Sequence, residues 1–448
     1  MTTMDTIGEA KDCHDRSNSL LSSKNREVWS RPEFWRKKLP FLDITTKSLE
    51  DQSTKQKASS SNSGKKWRQE LREQGFSLVD SPIADEDQIS KLRNGIEHLQ
   101  QKLRLPASFI LLFDITWKVA AKSKQMLADS TLESNRFQFD ILAWFIENDG
   151  FSPHRDRQPE GDTTPASFDG EDAKFVTNWI AITEANPQNS CLYMIPKSQD
   201  PGYFAGDTED ADPLRVALPS KESYQHIRAM PRQAGQSVMF THRVIHWGSK
   251  RAPNTDLPCR IALSFVCSDP TYEKPYVEPN YFENGQTPPF RIRLLLVCAQ
   301  MLIYYQRFDL DKEFLKACYG YCKDMEDELE ETYRQKVYLE FVKAMKEHQI
   351  FDPASKHCAP AASETVDFND EDADEAMVEE MLNAAKKGYG EFADDYDETF
   401  GGDVGGINDD GDEDNAEDPE PDAVLQFAKR PLPVDSNGDG TKRTREER

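Results

Sequence analysis

Residues 136–146 read RFQFDILAWFI, an almost unbroken run of aromatic, β-branched and long apolar side chains, followed by the turn formers Asn148, Asp149 and Gly150. Such a run, bounded by punctuation of this kind, specifies a β-strand. Four more runs follow the same pattern: FVTNWIAIT (175–183), SCLYMIP (190–196), QSVMFTHRVIH (236–246) and RIALSFVC (260–267), with Gly, Pro, Asn and Asp between them. Short strands without intervening helical periodicity predict a sandwich or jelly-roll barrel and not a parallel βαβ sheet.

On the amino-terminal side, WRQELREQGFSLVD, starting at Trp67, predicts a helix and then a short strand. A second helix follows, begun by Ser81, Pro82 and the acidic turn Asp85 to Asp87, with Ile89, Leu92 and Ile96 at helical spacing. On the carboxyl-terminal side, PPFRIRLLLVCAQMLIYYQRF, DKEFLKACYG and MEDELEETYRQKVYLEFVKAMKEHQ predict helices that pack on the barrel or mediate self-association. The expected organisation is a mostly disordered segment over 1–66, a catalytic domain over 67–270, a helical extension over 271–352 and a disordered acidic tail over 353–448 with a basic end. Trp29, Phe34, Trp35 and Phe41 interrupt the polar first segment and predict a short piece that docks on the body.

The charge is local. Between Glu364 and Asp422 stand 24 acidic residues and two lysines, which is −22 of the net −25 and leaves −3 for everything else. The low pI therefore describes the tail, and the folded body shows no clear nucleic-acid site. Eight cysteines spread over 448 residues fit reduced thiols. The start carries acids and no apolar run, so no secretory or transit leader is expected, and the run Leu294–Tyr305, broken by Gln300, is too short to span a bilayer. A cytoplasmic protein without a membrane partner is expected. Lys429-Arg430 and Lys442-Arg443-Thr444-Arg445 carry the alternative of nuclear import.

The chemistry lies in FSPHRDRQ (151–158) and VMFTHRVIHWGS (238–249). Residues two apart on a strand face the same side, so His154 and Asp156 can reach one metal. A second histidine from a neighbouring strand completes the two-His, one-carboxylate face that holds Fe(II) with positions left open. Val238, Phe240, His242, Val244 and His246 share one parity, so His242 and His246 both qualify. His246, at the strand end, is preferred. Arg260 opens the next strand, and its planar fork suits the far carboxylate of a keto-diacid, with the loop residue Arg251 as competitor. Phe137, Phe139, Trp144 and Trp179 are candidates to line or support the cavity, and Asn178 and Tyr193 to set polar groups beside it. Arg155 and Arg157 are expected on the opposite face, in solvated or supporting ion pairs.

With these residues in order, the chain resembles the phytanoyl-CoA dioxygenase family of Fe(II)- and 2-oxoglutarate-dependent oxygenases. The resemblance runs from about Gly75 to Asp269, through GFSLVDSPIADEDQISKLRNGI, HRDRQ, NWIAITEANPQNSCLYMIPKSQDPG, GQSVMFTHRVIHWGS and RIALSF. It implies a double-stranded β-helix core of the jelly-roll, cupin-like kind, mainly β with flanking helices. It further implies Fe(II) on His154, Asp156 and His246, and 2-oxoglutarate on Arg260. The implied reaction consumes molecular oxygen and hydroxylates a small polar or anionic organic substrate, with release of succinate and CO2. The intact HxD favours oxidation over halogenation. Gln199 stands where the family often has histidine, and the KRAPNTDLPC loop stretches the spacing from His246 to Arg260.

Two rival readings stand beside this one: a catalytically silent jelly-roll whose acidic tail binds basic proteins, and an oxygenase acting on a protein or nucleic acid. Residues 435–446 also satisfy the EF-hand spacing, but Pro431 and Pro433 occupy the place of the entering helix, so calcium is not expected. Cys318 and Cys322 are expected in helix packing, and His98, His226 and His348 lack supporting ligands.

Overall fold

The computed structural model describes residues 20–45, 62–148, 150–157, 166–207, 212–277, 281, 286–308 and 310–350, with side chains to 347. The acidic tail, the EF-hand spacing, both basic clusters, Cys13, Cys358 and the start of the chain lie outside these residues. The strands are β1 (Phe76–Val79), β2 (Arg136–Ile146), β3 (Phe151–His154), β4 (Phe168–Asp169), β5 (Asp172–Ala173), β6 (Phe175–Ala181), β7 (Leu192–Met194), β8 (Arg228–Met230), β9 (Ser237–Thr241), β10 (His246–Gly248) and β11 (Arg260–Ser268). They form a five-stranded sheet in the order β1-β9-β6-β11-β2, a four-stranded sheet in the order β3-β10-β7-β8, and the small β4-β5 ribbon. Every pairing is antiparallel.

Strand alternation assigns the two faces of the larger sheet. In β11, Ile261, Leu263, Phe265 and Cys267 enter the main core, while Arg260, Ser264 and Val266 face a cavity between the sheets. In β2, Phe137, Phe139, Ile141 and Ala143 take the core side, and Asp140, Leu142 and Trp144 take the cavity side. A second apolar cluster joins the sheets, with Trp179, Val238, Phe240 and Ala262 from the larger one meeting Leu192 and Met194 from the smaller. Both faces of β6, β9 and β11 are thus buried, which is why their sequences read as near-continuous apolar runs.

The helices are α1 (Arg26–Trp29), α2 (Pro32–Lys38), α3 (Asn62–Gln74), α4 (Glu86–His98), α5 (Asp114–Ser130), α6 (Gly202–Ala205), α7 (Pro213–Ala217), α8 (Phe290–Ile303), α9 (Lys312–Asp324) and α10 (Glu331–Ile350). Gly75, at φ +83°, stops α3, and its N–H returns to the Leu71 carbonyl at 3.0 Å, the left-handed cap that glycine allows. Arg68 and Arg72, one turn apart on α3, both grip Asp172 at 2.6–3.0 Å and so fasten the helix to β5. Asp85 caps α4 by accepting from the Gln88 N–H, and the Gln88 side chain accepts in return from the Asp85 N–H. Helices α8 and α9 enter the same core as β2 and β11, so the carboxyl-terminal helices pack on the sheet.

Three sequence expectations are corrected. QSVMFTHRVIH is not one strand: β9 ends at Thr241, residues 242–244 turn, and β10 begins at His246 in the other sheet. Helix α5 has no counterpart in the sequence reading, because its buried side includes Asp114, Thr116, Ser123 and Ser130, which break the apolar period. The first helix starts at Asn62, five residues before Trp67.

The segment 20–45 docks as its aromatics suggest. Trp29 and Trp35 are buried, the Trp35 indole donates to the Trp29 carbonyl at 2.7 Å, and its ring stacks on Phe109 at 5.3 Å. Phe41 instead remains exposed. None of the described helices is long and apolar enough to cross a membrane. Truncating an indole this buried leaves a large cavity, so Trp35→Ala should lower unfolding free energy by about 3–5 kcal/mol in urea titrations. An unchanged midpoint would show that the segment is not part of the cooperative fold.

Candidate metal centre

Antiparallel pairing of β3 with β10 sets His154 directly opposite His246, with ring centroids 4.3 Å apart. The pairing is unusually close at its far end. A Cβ at Gly150 would fall 1.8 Å from the Gly248 carbonyl oxygen, so only glycine lets the chain enter β3 on this path. The strand stops at His154, and Asp156 follows in a bend that still turns its carboxylate toward the two rings.

Hydrogen bonding fixes which atoms meet. The Nδ1 atoms of His154 and His246 face the Ser152 and Val244 carbonyls at 2.8 and 3.1 Å. A carbonyl only accepts, so each Nδ1 carries the proton and each Nε2 keeps its lone pair. Both Nε2 atoms point at Asp156 Oδ1, at 3.9 Å from His154 and 3.5 Å from His246. The other carboxylate oxygen, Oδ2, accepts from the Thr177 hydroxyl at 2.9 Å. Thr177 therefore decides which oxygen is presented. The three side chains offer one ligand atom each, all within 4.8 Å of one another, and form the one such group among the described residues. Two neutral imidazole nitrogens and one carboxylate oxygen converging in this way fit a divalent transition metal.

The electrostatics favour the metal-ready forms. Burial, reinforced by His246, pushes the His154 imidazole down to about 4. Burial alone would raise the Asp156 carboxyl, but His246 and His154, then Arg157 and the Thr177 hydroxyl, hold it below the usual carboxylate range. Arg155, between the ligands, points the opposite way into a fully buried site. It binds Asp200 at 2.5 and 2.8 Å, Asp207 at 2.8 Å through two contacts and the Arg243 carbonyl at 2.5 Å, which pins the ligand segment from behind. Of the two expected alternatives, a solvated or a supporting ion pair, the structure shows the supporting one, fully buried.

Across the cavity, Arg260 is 1% exposed, and its Nε and Nη1 have no hydrogen-bond partner. Its guanidinium lies 5.6 Å from the ring of Trp179. Burial pushes its pKa down to about 10, so it stays a cation at neutral pH. A Cβ at Gly248 would stand 3.2 Å from Arg260 Nη1, so glycine keeps the approach to the guanidinium open. An uncompensated buried cation is costly without an anion to receive it. The site fits a carboxylate ligand.

The wall also draws on the carboxyl-terminal helices. Tyr304 and Arg307, just after α8, line the cavity beside Asp140, Trp144 and Phe151. Asp140 accepts from the Tyr304 hydroxyl at 3.0 Å, and burial raises its pKa. Arg157 binds Glu273 at 3.0 and 3.1 Å and lies 4.7 Å over Phe175, and Glu273 accepts from the Tyr276 hydroxyl at 2.5 Å.

Residues 64–252 match the family model of phytanoyl-CoA dioxygenase (PhyH), a stretch that contains His154, Asp156 and His246. This stretch is similar to the phytanoyl-CoA dioxygenase family. Oxygenases of this family use iron and 2-oxoglutarate, and the triad has the donor set for the former. Solved structures similar to this chain include the epimerase SnoN in complex with Fe3+, alpha ketoglutarate and nogalamycin RO (16% identity, 46% of this chain and 84% of that one, TM-score 0.35). The carbocyclase SnoK from nogalamycin biosynthesis shows 17% identity over 52% of this chain and 94% of its own, with a TM-score of 0.35. AviO1 from Streptomyces viridochromogenes Tue57 shows 17% identity over 48% and 97%, with a TM-score of 0.33. These likenesses are too loose to carry a substrate or a reaction across. No curated protein matches the chain in sequence.

Around this site the other predicted residues separate cleanly. His242 lies outside the triad: it is fully buried, its Nδ1 faces the Phe175 carbonyl at 3.1 Å, and its ring packs among Phe168, Phe175 and Tyr272. Arg251 is taken up by its own loop, reaching the Leu257 and Thr255 carbonyls. Trp144 and Trp179 line the cavity, whereas Phe137 and Phe139 face the core. Asn178 turns to α5, donating to Ser123 at 2.9 Å, and Tyr193 stacks on Trp247 at 5.6 Å; neither lines the cavity. Cys318 and Cys322 are buried in helix packing. Thr177 shares the parity of Trp179 on β6 and was legible on that ground. Tyr304 and Arg307 carry no sequence signal that ties them to the site.

His242 makes a pH prediction. Burial holds its imidazole at about 3 against a reference of 6.5, so between these values the unfolded chain takes up a proton that the native state refuses. Stability must fall as pH falls through that window, at up to about 1.4 kcal/mol per pH unit from this one group. Urea unfolding of His242→Gln between about pH 4.5 and 6.5 should show a slope shallower than wild type by about that amount. An identical slope would mean that His242 is not held neutral.

Proposed function

We propose that this chain is an Fe(II)- and 2-oxoglutarate-dependent dioxygenase that hydroxylates a small organic substrate, built on a double-stranded β-helix core. The observation that carries the reading is the pair of matched features facing one cavity: a convergent His154, Asp156 and His246 set, and a buried Arg260 whose Nε and Nη1 lack a partner. A structural barrel has no use for an uncompensated guanidinium facing three metal donors. The catalytic domain over 67–270 and the helices over 271–352 act as one unit, since strands and helices share a core and the cavity takes residues from both.

In this reading His154, Asp156 and His246 hold the iron, and Arg260 holds the distal carboxylate of 2-oxoglutarate. When bound, the iron with 2-oxoglutarate and molecular oxygen supplies the oxidative chemistry, with succinate and CO2 as co-products. The remaining tasks belong to the chain. The Ser152 and Val244 carbonyls keep both imidazoles in the tautomer that offers Nε2. Thr177 holds Asp156 Oδ2 and so presents Oδ1. Trp144, Phe151, Phe240 and Trp247 give the cavity an apolar lining beside the donors.

Anaerobic addition of Fe(II) and 2-oxoglutarate to the full chain should give a visible charge-transfer band, and oxygen should then release succinate. His154→Ala should lose both. Arg260→Met should weaken 2-oxoglutarate binding by about a hundredfold, near 3 kcal/mol, because a charge-assisted bidentate contact is removed. A wild-type protein without band or succinate, or a His154→Ala protein with both, would overturn the assignment.

A further inference from the structure

The cations facing the cavity differ in how they are engaged. Arg157 is held by Glu273, and Arg260 is assigned above to the co-substrate. The Arg307 guanidinium has neither an ion pair nor a hydrogen bond among the described residues, although the residue is exposed and lines the same cavity as His154 and His246. Its guanidinium is nevertheless held in place. It lies 5.7 Å from the ring of Trp144, 5.5 Å from that of Phe151 and 5.7 Å from that of Tyr304, and the first two rings pack edge to face at 4.8 Å. Three aromatic faces take up the apolar surface of the guanidinium and leave its N–H edge free. An arginine oriented by stacking and lacking an anion is arranged to receive one.

We propose that Arg307 is the recognition residue for the prime substrate, and that this substrate carries an oxyanion, a carboxylate or a phosphate, held at the cavity mouth with its carbon skeleton directed inward past Trp144. The proposal rests on the oxygenase reading for the word substrate, but its physical content, an anion site at Arg307 distinct from Arg260, stands on its own geometry. Asp140 sharpens it. This buried carboxylate lies in the same wall and is tied up by Tyr304, so it does not neutralise Arg307 through a direct contact.

The test is a matched series of probes, hexanoate, hexyl phosphate, 1-hexanol and hexylamine, titrated by ligand-observed NMR into the full chain with saturating 2-oxoglutarate present to occupy Arg260. Wild type should bind at least one of the two anions about tenfold more tightly than 1-hexanol, as a charge-assisted contact at a partly exposed site allows, and hexylamine least. The stronger of hexanoate and hexyl phosphate identifies the group. Arg307→Gln should abolish the preference, Arg307→Lys should restore part of it, and Arg260→Met should leave it intact. Equal binding of anions and 1-hexanol by wild type, an unchanged preference in Arg307→Gln, or its loss in Arg260→Met would each overturn the proposal. The Fe(II) and 2-oxoglutarate band of wild type, recorded in parallel, separates the two ideas: its absence removes the oxygenase reading, while the probe series still decides the anion site.

Discussion

Everything chemical in this molecule depends on one short ladder, the pairing of β3 with β10. It is only a few residues long, yet it puts His154 across from His246 and lets Asp156 join them from the bend beyond. A pairing this short has little strength of its own. It is held from outside: Gly150 and Gly248 permit close approach at one end, the Arg155 ion pairs clamp the other from behind, and β7 supports β10 along its free side. The candidate metal donors therefore sit on a segment whose geometry is set by buried charge and backbone contact more than by its own hydrogen bonds.

The larger sheet plays a different part. Its strict alternation sends one set of side chains to a helix-covered core and the other to the cavity, so Thr177, Trp179, Arg260 and Ser264 arrive at the site by register alone. Once the core side of β11 is fixed by Ile261, Leu263 and Phe265, Arg260 has no choice of face. The cost of burying its charge is borne by the stability of that core.

This division explains what could be read in the sequence. The strands were legible because aromatic and β-branched runs lie between turn formers, and the ligand motif was legible because its residue types are chemically restrictive. The break at His242 was not. The parity of Val238, Phe240, His242, Val244 and His246 continues unbroken on paper, while the chain turns at 242–244 and changes sheets, a tertiary event with no local marker such as glycine or proline. His246 thus holds its place because it begins a strand facing β3, and not because it ends one at a barrel mouth. Helix α5 was hidden by its own buried polar residues, of which Ser123 receives Asn178 from β6. Whether the Arg155 ion pair was solvated or supporting stayed open in the sequence, because its partners, Asp200 and Asp207, lie some fifty positions away.

The end of α8 has a wider implication. The candidate donors come from β3, the bend after it and β10, whereas Tyr304 and Arg307 reach the same cavity from just beyond α8, a covalently remote helix attached through the shared core. On the proposed reading, reaction type and ligand preference are thus written on separate stretches of polypeptide. Substitutions after residue 303 can retune what enters the cavity without disturbing a single metal donor, which makes this corner of the wall the natural place for one scaffold to diverge toward different substrates.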